Sequence, residues 1–377
     1  MTTDRRTAGR SSGPDESLLA ELITVAASAP SAHNTQPWDP RISAGGIELG
    51  VAEGRTLPVG DGTGRDTLLA LGAWTEAAAI AARRAGRELI VDTLPTLGDP
   101  ELIVSARRRD PVARLTLGGA PRPTDDPARL LDADLLAARL TYRGPVRRAD
   151  GFLTAAATVL PDWAGLVPIT ARDLNRMALL GTADTLTRPG AVEELASWLR
   201  LSPRHPQYAV DGLTDRVLRL PRPVAAVAAP FTRPDRPRRA AAWAARRGGD
   251  LLRRLLLEVP IEAAGDAADA DHFTLVVRSN ELAIGTGVEL TRVLNSPLGL
   301  PPEVVFETGR VLLRVWLCAA RMGAAFSPHS EVLDSALAQG ELQHRLGLGR
   351  RTVPLFVASV GRPAERHPAR SPRRRLA

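Results

Sequence analysis

The chain has 377 residues, 44% hydrophobic and 24% charged, which suits a soluble globular protein of about two domains. A single cysteine, Cys318, excludes an internal disulfide and a thiolate metal cluster, and the absence of lysine excludes a Schiff base. The net charge of +7 is concentrated in residues 232–254, with eight arginines against two aspartates, and 361–377, with six arginines against one glutamate, so the remainder is mildly acidic.

Residues 1–14 are small, polar and charged and read as a disordered tail. Asp15 then caps a predicted helix over 16–28, with Leu18, Leu19, Leu22, Ile23 and Ala26 on one face. "APSAHNTQPW" (29–38) follows as a polar loop, and "RISAGGIELGVA" as a hairpin around Gly45-Gly46. "GDGTGRDTLLALGAWTEAAAIAARRAG" is a loop entering a long Ala-rich helix, while "ELIVDTLP", "ELIVSARR" and "PVARLTLGG" read as strands. The Pro/Asp-rich stretch 121–138 marks a boundary, dividing the chain into 15–128 and 129–377.

The second part opens with extended "ARLTYRGPVRR", then a helix near 150–160, the strand "GLVPITA", and helices near 171–182 and 190–200. Residues 201–270 are irregular and rich in Pro and Arg, with a helical "AAAWAARRGGDLLRRLLLEV" inside. The strand "HFTLVVRS", an amphipathic helix over 307–323, a buried-type strand over 352–361 and an Arg-rich tail complete the chain. Alternating helices and strands in both parts predict an α+β or α/β layered fold.

Several chemistries lack their signals. "GDGTGR" (60–65) places Arg65 where a dinucleotide loop needs its third glycine, and Pro58 interrupts the entering strand. The six histidines show no helical metal spacing, no G-x-S-x-G elbow exists, and Cys318 lies mid-helix as a packed thiol. No apolar run reaches the roughly 18 residues of a membrane helix, and the N-terminus has no signal-type apolar region. Aromatics, at 4%, do not interleave with the arginines as a nucleic-acid surface requires. A cytoplasmic protein, with neither nucleic acid nor membrane as partner, is therefore expected.

Three stretches carry candidate binding chemistry. In an extended segment Arg139, Thr141 and Arg143 project the same way, and two guanidinium forks with a hydroxyl suit a phosphate, although a solvated edge strand has the same pattern. The tail "HPARSPRRR" repeats that chemistry in Arg370, Ser371, Arg373 and Arg374; as an isolated segment it reads as a disordered basic tail. In the loop 29–38, Pro30 and Pro37 fix the backbone while Ser31 and Asn34 offer donors and acceptors, either to the edge of a planar heterocycle or to a capped turn.

This loop, with Pro30, Ser31, Asn34, Gln36, Pro37 and Trp38 in place, resembles the ring-binding loop of the nitroreductase-like FMN-binding family. Arg139, Thr141 and Arg143 are similar to that family's phosphate motif, and Arg370, Ser371 and Arg373 to its C-terminal phosphate clamp. In ordinary members the phosphate motif precedes the ring loop, and a homodimer shares the two; here the order is reversed within one chain. The arrangement resembles the Acg-like branch, which implies two nitroreductase-like halves fused in one chain, each a mainly antiparallel sheet flanked by helices. The protein would then be a monomer acting as a pseudo-dimer, open to further dimerisation. "DRRTAGR" (4–10) is either a relic of the first half's phosphate motif or part of the tail.

The resemblance implies an FMN site formed by Pro30, Ser31, Ala32, Asn34 and Gln36, by Arg139, Thr141 and Arg143, by Phe326, Ser327 and Pro328, and by Arg370, Ser371 and Arg373. It further implies NAD(P)H as hydride donor and a nitro, quinone or similar small acceptor, with flavin N5 and no protein group carrying the chemistry. Two alternatives stay open. One is a flavin-sequestering protein closed by a lid-like insertion at about 201–250; the other is a flavin-dependent tailoring dehydrogenase.

Overall fold

The computed structural model describes residues 14–43, 46–107, 109–232, 247, 270–278 and 298–376. The tail expected at 1–14 falls outside them except for Pro14, which opens α1 (Pro14–Ala26). The 4–10 segment, the helix expected within 240–259 and most of the distal part of the lid-like insertion also lie outside the described residues.

In α1, Leu19, Leu22, Ile23 and Ala26 are buried, as their spacing predicts. The chain then forms β1 (Trp38–Ser43), β2 (Gly46–Val51), α2 (Arg65–Arg84), β3 (Leu89–Thr93), the short α3 (Pro100–Ile103) and β4 (Ala113–Leu117). These strands make one antiparallel sheet in the order β1-β2-β4-β3. The strand expected in "ELIVSARR" is a helical turn instead. Asp99 accepts from the Glu101 N–H and Pro100 supplies the first helical residue, so local capping overrides the apolar run.

Next come α4 (Asp134–Ala138), β5 (Val146–Arg147), α5 (Phe152–Ala157), β6 (Ala164–Ile169), α6 (Ala171–Thr187), α7 (Ala191–Trp198), the short β7 (Leu199–Arg200) and β8 (Leu213–Thr214), and α8 (Arg222–Ala228). The chain resumes at β9 (Asp271–Arg278), followed by α9 (Pro302–Arg321), β10 (Ala325–Pro328), α10 (Glu331–Asp334), α11 (Ala336–Arg345) and β11 (Thr352–Pro363). A second antiparallel sheet has the order β6-β9-β11-β10, with β5 pairing to the far end of β11. The fold is thus mixed α+β with antiparallel sheets. Its two main sheets share one connection pattern, in which two strands, a 20-residue helix and two further strands give the order first-second-fourth-third.

The two long helices, α2 and α9, pack against one another at the centre. Glycine permits their approach: a Cβ at Gly72 would lie 1.9 Å from the Phe306 carbonyl oxygen, and one at Gly309 would lie 2.3 Å from that of Leu69. The contact is reciprocal, since each glycine meets the carbonyl three residues before the other. At the same seam Glu76 is fully buried. Arg314 binds it through two hydrogen bonds of 3.0 Å, Arg310 through one of 3.0 Å, and Arg83 adds a longer contact of 3.3 Å. Burial alone would raise the Glu76 carboxyl; the guanidiniums of Arg314, Arg310 and Arg83 outweigh it and hold the group below its ordinary 4.5.

No helix among the described residues is long and apolar enough to cross a membrane.

Replacing Glu76 with Gln leaves three arginines facing a neutral group, and a loss of about 3–5 kcal/mol in unfolding free energy is expected by denaturant titration. Because the folded pKa is depressed, this contribution is present above the unfolded value near 4.5 and disappears as pH falls through the folded value. The wild-type protein should therefore lose more stability on acidification than the variant.

Candidate functional site

The loop after α1 is bent by three non-glycine residues in the left-handed region, His33 (φ 47°), Asn34 (φ 55°) and Gln36 (φ 54°). Each such residue costs about 1–2 kcal/mol, so surrounding contacts must hold the loop in shape. Within the loop, Ser31 Oγ accepts from the Gln36 N–H at 2.9 Å.

The remaining contacts come from far along the sequence. Asn34 Nδ2 donates to the Pro372 carbonyl at 2.9 Å, and its Oδ1 accepts from Arg373. Gln36 Oε1 accepts from the Arg374 N–H at 2.8 Å, while its Nε2 donates to the Val210 carbonyl at 2.9 Å. Arg374 also donates to the Trp38 carbonyl at 2.9 Å. The C-terminal tail is therefore an ordered strap across the loop, delivered there by β11. The Asn34 amide, expected at the edge of a planar ring, is engaged with this strap, as is that of Gln36.

Pro30, Ser31, Ala32 and Asn34 of the loop, Thr141 and Arg143, Ser327 and Pro328 of β10, and Ser371 and Arg373 of the tail all border one cavity of about 580 Å³. Its size is in the range of small-molecule and cofactor sites. Gln36, Arg139 and Phe326 are buried behind its wall, and Arg370 is exposed beyond it. Phe326 stacks on Trp316 with ring centroids 4.7 Å apart, giving the cavity a rigid aromatic base.

Arg139 and Arg143 do not converge on one point, as an extended strand would have them do. Arg139 is the C-cap of α4, and Thr141 forms an isolated bridge with Phe326. Arg139 lies over the Trp316 ring at 4.9 Å and donates to the Ser28 carbonyl at 2.8 Å, whereas Arg143 faces the cavity.

The electrostatics of Arg139 are unusual. Burial first, then the charges of Arg373 and Arg370, push its pKa well below the usual value. Burial and Arg370 lower Arg373 to about 10. Guanidinium does not deprotonate in proteins, so these shifts measure positive charge that lacks a counter-charge. The contacts of Arg370 and Arg373 are to neutral oxygens: Arg370 donates to the carbonyls of Ala137, Ala138 and Arg139, and Arg373 to those of Ser28 and Pro372 and to Asn34 Oδ1. Arg143 is lowered by burial, with Glu331 opposing. Arg139 Nε and Arg143 Nη1 are buried without a hydrogen-bond partner.

Sequence reasoning missed several groups at this cavity. His33 borders it, with Nδ1 buried and unpartnered; burial lowers its pKa to about 4, with Asp66 and Glu331 opposing and Arg143 assisting, so it is neutral near pH 7. His272, His329, Glu331 and Ser359 border it as well. His33 lies inside the loop 29–38 and His329 directly follows Phe326, Ser327 and Pro328, so both positions were within reach of the sequence. His272 and Ser359 meet only through the β9–β11 register. Among the described residues, no group of three or more His, Cys, Asp or Glu is placed to hold a metal ion.

Part of the expected lid also reaches the site. Gly212 N–H donates to the Asn34 carbonyl at 3.4 Å, Asp211 pairs with Arg55 and Arg200, and Leu213 and Leu218 border the cavity.

No protein-family model matches the chain, and no curated protein matches it.

Replacing Asn34 with Gly suits the positive φ yet removes both amide contacts to the strap. A loss of about 1–3 kcal/mol is expected, together with faster tryptic cleavage after Arg373 and Arg374 at a pH where the wild type resists it.

Proposed function

We propose that the chain is an FMN-dependent oxidoreductase of the nitroreductase-like kind, built from two like halves that share one flavin site. The observation that carries this reading is the cluster of buried guanidiniums lacking counter-charge beside a cavity of cofactor size. A phosphate monoester brings about −1.5 to −2 charges at neutral pH and several acceptor oxygens, which would offset the charge of Arg139 and Arg373 and give Arg143 an acceptor. The buried, unpartnered Nη1 of Arg143 fits the same group.

Arg143, Thr141, Ser371 and Arg373 would hold the phosphate, and the loop 30–34 with Ser327 and Pro328 would border the ring. FMN would supply hydride transfer between NAD(P)H and a nitro, quinone or similar acceptor. The chain's own part is to position the cofactor, exclude water with its aromatic base, and set the local charge. The matching strand order of the two sheets and the reciprocal Gly72–Gly309 contact support a fused-dimer origin.

A second reading is favoured by one observation. Residues 210–218 close over the loop, with Leu213 and Leu218 at the cavity, as a sequestering lid would. Such a protein would bind FMN yet not turn over.

The purified protein should carry or take up FMN, and anaerobic NADH or NADPH should bleach its absorption band. Retained colour without bleaching indicates sequestration, and a chain that ignores added FMN contradicts both readings. Arg143→Gln touches neither the strap nor the helix seam, and it should weaken FMN binding about 10- to 100-fold with little change in thermal midpoint.

A further inference from the structure

One hydrogen-bonded chain at the cavity is not used by flavin binding. His329 Nδ1 lies 3.1 Å from Glu331 Oε1, and its Nε2 lies 2.9 Å from Ser359 Oγ. The same Ser359 Oγ lies 2.8 Å from His272 Nδ1. All four residues border the cavity. The chain ends at His272 Nε2, which is buried with no partner among the described residues. Sheet register fixes the arrangement: Ser359 on β11 stands opposite Ser327 of β10 on one side and His272 of β9 on the other. The His329 N–H donates to the Val357 carbonyl at 2.9 Å, which holds the imidazole beside Ser359.

Two proton arrangements satisfy all three contacts. In the first, His329 is an imidazolium donating to Glu331 and to Ser359; Ser359 donates to His272 Nδ1, and His272 carries its proton on Nε2. In the second, His272 Nδ1–H donates to Ser359, Ser359 donates to His329 Nε2, and neutral His329 donates to Glu331. The arrangements differ by one proton, and the one that leaves is on His272 Nε2. Passing from the first to the second is a concerted shift along hydrogen bonds already in place, with no side-chain movement.

We propose that Glu331, His329, Ser359 and His272 form a proton relay that delivers one proton to a ligand oxygen in the cavity once the ligand uncovers His272 Nε2, which is covered in the free protein. For its substrate class the inference rests on the oxidoreductase reading. An acceptor such as a quinone takes one hydride and one proton to become a hydroquinone: the hydride supplies both electrons, and the relay supplies the proton without itself being oxidised or reduced. His272 would be the catalytic residue, while His329, Ser359 and Glu331 act through it as positioning residues. Burial and the neighbouring His329 disfavour charge on His272, with Asp271 opposing. The other charged or titratable groups near the relay are Arg143 and neutral His33, which share the field of Glu331, and Arg148, which pairs with Asp271 at 2.8 Å.

Ser359, His329 and Glu331 also match the composition of a hydrolytic triad. Ser359 is a poor nucleophile here, because it sits mid-strand between two paired strands rather than on a sharp turn, and its oxygen is shared with a second imidazole. That alternative is an outcome of the test.

The test begins with side-chain nitrogen NMR of the full-length protein across pH, without added hydride donor or acceptor. In the wild-type background, Glu331→Gln should change the Nδ1/Nε2 protonation of His272. In Ser359→Ala the His272 response to Glu331→Gln should vanish. A His272 response that is unchanged without Ser359 would overturn the relay, as would fluorophosphonate labelling of Ser359. The second arm uses quinone turnover: His272→Gln should lower kcat about 10- to 100-fold with the NAD(P)H KM unchanged, and should abolish the alkaline limb of the pH profile. Unaltered kcat and pH profile in a flavin-loaded variant contradict the relay, whereas a protein that binds no flavin contradicts the oxidoreductase reading and leaves the NMR arm decisive.

Discussion

Positive charge without a counter-charge among the described residues is the constraint around which the site is organised. Arg139, Arg370 and Arg373 crowd together where the tail crosses the loop, and the shifts of Arg139 and Arg373 are set by burial and mutual repulsion. Protein interiors do not tolerate such a group unless hydrogen bonds or a ligand relieve it. Carbonyls of α4 and of the loop relieve part of it, and the indole of Trp316 relieves more. What remains reaches the border of the cavity at Arg373.

The rest of the architecture serves that junction. Strand β11 runs through the second sheet and ends where the tail must begin, so the strap is anchored in the core before it reaches Asn34 and Gln36. Left-handed residues in the loop are tolerated because the strap and residues 210–212 over-determine it. The two sheets keep their relative placement through α2 and α9, whose glycines allow backbone contact and whose buried Glu76 neutralises arginines from both helices. Removing any one of these links loosens the loop, and with it the border of the cavity.

Much of this was legible in the sequence, and the gaps have physical causes. Helices α1, α2 and α9 follow from apolar periodicity, although α9 begins at Pro302, five residues before the predicted start, because a proline suits the first helical turn. The short apolar run "ELIVSARR" carries no periodicity that separates strand from helix, and Asp99-Pro100 decides it. The loop, the Arg139–Arg143 segment and the tail were each visible as chemistry, yet not the way Asn34 and Gln36 bond to the strap. That choice depends on residues more than 300 positions away. His272, His329 and Ser359 carry no local motif, and only strand register brings them together.

The central claim is that this chain holds an anionic cofactor through guanidiniums that no acidic side chain among the described residues pairs with. Comparing FMN with riboflavin by fluorescence titration tests it most directly, because the two share a ring system and differ by the phosphate. FMN is expected to bind at least about 100-fold more tightly, the equivalent of roughly 2.7 kcal/mol, and the difference should shrink as salt rises. Equal affinity for the two, or affinity for neither, would contradict it.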